Sequence, residues 1–176
     1  RLLSRGLGDV YKRQVRDFQP APEHAGDNSR MSDDLTPQQL AEKTSSMMGA
    51  RDNASKFLGI ELEDIGPAHC VMSLVVREEL VQGLNVCHGG YIFSLADTTM
   101  AFASNTFDVP NLAQQAQITF LAPGQLGDKL TATAKRTSLA GRNSIWDVEV
   151  LDQNGKQIAV FRGQTRAVKG KVTEMG

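Results

Sequence analysis

The stretch Cys87-His88-Gly89-Gly90-Tyr91-Ile92-Phe93-Ser94-Leu95-Ala96-Asp97-Thr98 decides the reading of this chain. It reads as a loop running into a helix. Two adjacent glycines let the backbone come close to a ligand at the helix entrance. The first-turn N–H groups of a helix have no intrahelical partner, so they can hold an oxyanion. Asp97 follows within an apolar and small-residue run that ends near Ala103. A carboxylate in such a run is costly unless it is paired or chemically employed. Oxyanion donors with a nearby carboxylate are the parts needed for acyl hydrolysis.

Outward from this stretch, the pattern predicts a helix over about 89–106, ended by Asp108-Val109-Pro110. Ile92, Leu95, Ala96, Thr99 and Ala103 share one stripe, and Phe93, Met100 and Phe102 lie elsewhere on it, so the helix reads as buried. Upstream, Thr36-Pro37 is a helix start with Thr as N-cap and Pro at the first helical position, and that helix should reach about Met48. A short helix over 53–58, strands over 60–65 and 69–76, and a loop over 77–87 should follow. Downstream come four strand-like segments, at about 112–121, 129–138, 144–152 and 157–168. Pro123-Gly124, Ala140-Gly141 and Asn154-Gly155 supply their turn chemistry, the last being a strong hairpin signal. Periodicity alone predicts an α+β fold with antiparallel strands against a buried helix.

The 176 residues carry 19 Lys and Arg against 20 Asp and Glu, a net charge of −1, with no long basic run, which argues against a nucleic-acid partner. No run of eighteen or so apolar residues suggests a membrane span. Two cysteines, Cys70 and Cys87, are too few for a disulfide framework, and a reduced, cytoplasmic setting is the simplest reading. Residues 1–30 are rich in Arg, Gly, Pro and Asp and lack sustained periodicity, so they are expected to be a disordered or non-native extension ahead of Met31. The domain is expected over 31–170, with 171–176 as a tail.

The motif around His88 resembles the signature of hotdog-fold acyl-CoA thioesterases, in particular the phenylacetic acid degradation (PaaI-type) group. The resemblance extends through Ile118-Thr119-Phe120-Leu121-Ala122-Pro123-Gly124, Gly127-Asp128-Lys129-Leu130-Thr131-Ala132-Thr133-Ala134 and Val160-Phe161-Arg162-Gly163, and covers about residues 50–169. It implies an antiparallel sheet wrapped around a long central helix. It implies hydrolysis of acyl-CoA thioesters, aryl-acyl ones such as phenylacetyl- or hydroxyphenylacetyl-CoA among them, with coenzyme A as part of the substrate and no separate cofactor. It also implies dimers, usually paired into tetramers, with active sites between subunits.

Carried over residue by residue, the resemblance puts the catalytic carboxylate at Asp97 and the carbonyl-polarising amide at Gly89. Asp97 reads as general base or nucleophile. His88 orients the loop or touches substrate, and Gly90 belongs to the substrate-binding loop. The chain departs from the family in one place: Gln82 stands where an asparagine is usual. Glutamine offers the same amide one methylene further out, and Asn85 is an alternative for that role. Arg142, with Lys135, Arg136, Arg162 and Arg166, is a candidate for the phosphates of coenzyme A. His69-Cys70 and Cys87-His88 make a poor zinc set, because neighbours on a strand point to opposite faces, and no metal is expected. Two rivals remain: a hydratase or dehydratase on the same fold, and a non-catalytic acyl-CoA-binding protein.

Overall fold

The computed structural model describes residues 35–175; the expectations for residues 1–30 and for the start at Met31 lie outside them. In chain order the elements are α1 (Pro37–Arg51), α2 (Asn53–Leu58), β1 (Ile60–Gly66), β2 (His69–Val75), α3 (Gly89–Ser104), β3 (Asn111–Phe120), β4 (Lys129–Ala140), β5 (Asn143–Leu151) and β6 (Gln157–Ala167). A short 3-10 turn at Glu78–Leu80 precedes α3, and another at Val172–Glu174 follows β6. The six strands form one sheet in the order β1-β2-β4-β5-β6-β3, antiparallel throughout. This is the arrangement the resemblance implies, with α3 against one face of the sheet.

Local chemistry accounts for the ends of the elements. The Thr36 hydroxyl accepts the Gln39 N–H and the Gln39 side chain accepts the Thr36 N–H, a reciprocal cap that starts α1. The amide of Gln38 then ties α1 to the sheet by donating to the Ile65 carbonyl at 2.8 Å. The last turn of α3 is capped by side chains: Asn105 donates to Ala101 O, Thr106 to Ala103 O and Asn111 to Ser104 O. These bonds satisfy carbonyls that a helix end would otherwise leave unpaired.

The core lies between α3 and the inner face of the sheet. Ile92, Leu95, Ala96, Met100 and Ala103 of α3 meet Met72 and Leu74 of β2, Leu130, Ala132 and Ala134 of β4, Trp146 and Val148 of β5, and Phe161 of β6, all buried. Small residues on β4 let the helix sit close, and Gly163 on β6 does the same opposite Met100.

Two features depart from the reading of the sequence, and a third was not in it. The helix is covered on one side only: Gly90 is exposed, and Ser94, Asp97, Thr98 and Ala101 form a half-buried stripe facing away from the sheet, bordered by Phe93, which packs on Phe161. The apolar count around α3 could not separate burial by the sheet from burial by something else. β3 does not pair with β4, which follows it, but crosses to the far edge beside β6, a strand order on which the sequence reading was silent. Finally, the segment after 170, read as a tail, packs down: Val172 is buried, Arg51 donates to its carbonyl at 3.2 Å, and the Asp108 carboxylate accepts the Thr173 N–H and hydroxyl.

Gly163 tests the packing. A β-carbon there would overlap the Met100 sulfur and lie 2.9 Å from Phe161 Cε1. Gly163→Ala is expected to cost about 1–3 kcal/mol through overpacking, read as a lower denaturant midpoint at unchanged m-value.

Candidate active site

The loop before α3 is a small hairpin, more ordered than the loop read from sequence. Val81 and Cys87 form an isolated antiparallel bridge. The Gln82 N–H donates to Val86 O at 2.9 Å and the His88 N–H to Leu80 O at 2.8 Å. At its tip, the Asn85 N–H donates to Gln82 O, and Asn85 sits at φ 61, a left-handed conformation asparagine tolerates better than most residues. The Gln82 side-chain oxygen accepts the Leu84 N–H at 3.0 Å, which leaves its amide nitrogen without an acceptor among the described residues. Cys87 N–H donates to Gly124 O at 2.8 Å, tying the hairpin to the Pro123-Gly124 turn.

His88 is the N-cap of α3. Its Nδ1 accepts the Gly90 N–H at 2.9 Å, which requires an unprotonated Nδ1, and its ring lies edge-on to Tyr91 at 5.8 Å. The Gly90 amide is therefore engaged. The Gly89 amide is not: among the described residues it has no backbone or side-chain acceptor. It points out at the positive end of α3. A β-carbon on Gly89 would stand 2.9 Å from Phe120 Cζ, so the Phe120 ring, which lies over the helix start, would have to shift to admit one. Phe120 is 50% exposed. Its place against Gly89 follows from the β3–β6 pairing, which a local sequence window does not display.

Asp97 sits on the open stripe of α3, one turn beyond Phe93, whose ring meets Phe161 edge-on at 5.4 Å. Its carboxylate has no hydrogen-bond or ion-pair partner among the described residues. Burial alone pushes its pKa above the ordinary 3.8. The two cysteines are ordinary core thiols: burial, with a smaller push from the Asp64 charge, raises Cys70 to about 12, and burial raises Cys87 to about 11. Neither is a ready thiolate nucleophile. His69 and Cys70 point apart, with His69 toward Asp64 at 3.1 Å and Cys70 in the core.

The site residues read from the sequence fall into three places. Gln82, Asn85, His88, Gly89 and Gly90 are together at the start of α3. Asp97 is eight residues along the same helix, about 12 Å by helical rise. Arg142 lies on the Gly141-Arg142 hairpin turn, beside the C-terminal end of α3, in a cavity it shares with Ser104. Gly89 and Asp97 of one protomer therefore cannot both reach one carbonyl, which would have to lie about 3 Å from each.

Residues 84–159 match the model of the thioesterase superfamily. The chain is 36% identical over 126 residues to the acyl-coenzyme A thioesterase PaaI of Escherichia coli K12, covering 72% of this chain and 90% of that protein. The chain belongs to the thioesterase superfamily. Within this superfamily it groups with PaaI-type hotdog acyl-CoA thioesterases. The solved structure of E. coli PaaI, from the phenylacetic acid degradation operon, superposes with a TM-score of 0.76 at 33% identity, over 77% of this chain and 99% of that one. A putative esterase of Archaeoglobus fulgidus is 33% identical over 125 residues, covering 71% of this thioesterase and 81% of that protein.

A desolvated, unpartnered carboxylate weakens the fold when charged. Because its pKa is raised on folding, the native state binds the proton more tightly than the unfolded chain, and the penalty appears as pH climbs through and above the ordinary aspartate range. Asp97→Asn is expected to raise the melting temperature at neutral pH. The difference should shrink as pH falls below the ordinary aspartate value. Thermal melts of both proteins across that range check it.

Proposed function

We propose that this thioesterase hydrolyses aryl-acyl-CoA thioesters at a site completed by a second copy of the chain. The observation that carries the reading is the pairing of an unpartnered, desolvated Asp97 with a free Gly89 amide on a helix whose outer stripe is uncovered. Two such helices running side by side in opposite directions bring Asp97 of each toward Gly89 of the other. Ser94, Thr98 and Ala101 are small enough for close approach. The free edge of β3, at the end of the sheet, offers backbone donors and acceptors for continued pairing with a second copy.

In this reading the Gly89 N–H donates to the thioester carbonyl and holds the negative charge that develops there. The carboxylate of Asp97 takes a proton from water as the oxygen adds to the carbonyl carbon. Desolvation makes Asp97 a stronger base than an exposed aspartate. The tetrahedral adduct collapses with cleavage of the C–S bond, the proton passes to the departing thiolate, and the free acid and coenzyme A leave. Gln82 positions water or carbonyl through its free amide nitrogen. His88 acts on the loop, holding Gly90 so that the Gly89 amide points outward. For the acyl group, the half-exposed Phe120 ring and the partly buried Phe93 beside the two half-sites suit a planar ring, in keeping with the operon from which the E. coli relative comes.

Thiol release from a panel of CoA thioesters tests the reading. Aryl-acyl substrates should give the highest kcat/KM. Asp97→Asn should lose at least a hundredfold in kcat. The acid limb of the wild-type kcat/KM profile should fall at a pH above the ordinary aspartate value, because Asp97 must be ionised to act and its pKa is raised. Near-wild-type turnover by Asp97→Asn would remove Asp97 from the mechanism.

A further inference from the structure

Two stretches of the chain, 80–96 and 109–127, hold no Asp, Glu, Lys or Arg, although 22% of all residues are charged. The fold brings them together at the start of α3. The Cys87 N–H donates to Gly124 O at 2.8 Å, and the Phe120 ring lies against Gly89. What the two stretches leave uncovered beside that point is apolar: Leu84, Phe120, Leu121 and Leu126 are all exposed, Leu84 the most at 79%. Leu84 stands at the tip of the hairpin that carries Gln82, between Gly83 and the left-handed Asn85. Its N–H donates to the Gln82 side-chain oxygen at 3.0 Å. That bond fixes the tip, so the isobutyl group of Leu84 is presented on the same short loop as the free Gln82 amide nitrogen.

The charges that border this lip are acidic or already engaged. Glu78 and Glu79 lead into the hairpin, and Asp128 follows the second stretch. Arg77 donates to the Phe57 and Leu58 carbonyls and pairs with Glu79. Lys129 pairs with Glu63, and Lys156 lies within electrostatic reach of Asp128. His88 accepts the Gly90 N–H and is uncharged in that role. An acyl group with a free carboxylate at its far end would shed water at this lip without meeting a cation, and would approach carboxylates. An uncharged acyl group gains by covering the same apolar surface. We infer that the lip selects thioesters of neutral acyl groups against those of dicarboxylic acids, with Leu84 as the residue that sets the preference. The inference rests on the thioesterase reading and goes beyond it: an aromatic ring or a short alkyl chain passes, and a succinyl or glutaryl group does not. Leu84 acts on the far end of the acyl group, and the reacting carbonyl is left to Gly89 and Asp97.

Leu84→Arg puts a cation on the tip, and Leu84→Ser removes the apolar group without adding charge. Thiol release by the full-length protein is measured with phenylacetyl-, butyryl-, succinyl- and glutaryl-CoA. Wild type should favour the two neutral substrates over the two carboxylated ones by about a hundredfold or more in kcat/KM. Leu84→Arg should narrow that ratio about tenfold or more, chiefly through a lower KM for succinyl- and glutaryl-CoA, and the gain should fade as salt is raised. Leu84→Ser should raise KM for phenylacetyl-CoA by about threefold or more without improving the carboxylated substrates. The same preference is read without turnover from the dissociation constants of the non-hydrolysable ketone analogues of phenylacetyl- and succinyl-CoA, in which a methylene replaces the thioester sulfur. Equal affinity of the wild-type protein for the two analogues would overturn the proposal. An unchanged ratio in Leu84→Arg that melts at the wild-type temperature would overturn the role of Leu84. Wild type that binds the analogues with the expected preference, yet releases no thiol from any substrate, would instead indict the hydrolytic reading and leave the selection standing.

Discussion

Helix α3 is buried against the sheet on one side and left open on the other, and the rest of the molecule is arranged around that asymmetry. Leu95, Ala96, Met100 and Ala103 are fully buried in the hollow of the sheet. Each large apolar side chain placed there contributes about 1.5–3 kcal/mol. Because the same helix carries Asp97 on its opposite stripe, the packing that stabilises the fold also fixes the direction in which the carboxylate faces. A strand slip of one residue would exchange the inner and outer faces of the sheet. The cross-strand rows prevent this: Met72, Ala132 and Val150 lie opposite one another on the inner face, and Ser73, Thr131 and Leu151 on the next row.

The same asymmetry explains why the site is tolerated. A buried, unpartnered carboxylate is a cost that a core does not carry without reason. Here the side chain is half-buried on an uncovered stripe, where desolvation raises its pKa without removing it from reach of a ligand. The Gly89 amide is the matching deficit at the helix start. His88 satisfies the neighbouring Gly90 amide and the half-exposed Phe120 ring lies against residue 89, while the Gly89 N–H keeps no acceptor among the described residues, so one donor is left exposed at the positive end of the helix. Two unmet groups lie on one helix, about 12 Å apart, too far to meet at one carbonyl within a protomer.

Much of this was legible in the residues. His88, Gly89, Gly90 and Asp97 stand in one short window, and helix periodicity alone puts the glycines at the start and the aspartate on a later turn. The strand segments were also readable, because Asn154-Gly155 and Ala140-Gly141 mark their turns; their ends in the structure differ from expectation by a residue or two. What was not legible depends on non-local pairing. Nothing near Asn111 says that β3 crosses to the far edge, and Phe120 meets Gly89 only because it does. The Gln82 loop looked irregular because its order comes from the Val81–Cys87 bridge and from Gly124, over thirty residues away.

The central claim is that one working site takes Asp97 from one copy and Gly89 from another. Subunit mixing tests it most directly. Gly89→Pro removes the amide hydrogen at the first helical position, which suits proline; the half-exposed Phe120 ring must shift to admit the β-carbon, and His88 at φ −65 and ψ 130 already has the extended backbone that must precede a proline. Alone, Gly89→Pro and Asp97→Asn should each be nearly inactive. Random pairing makes half of all dimers mixed, and each mixed dimer has one intact site of two, so the co-assembled variants should recover about a quarter of wild-type activity. A mixture shown by mass to contain heteromers, yet no more active than its two parents, would contradict the account.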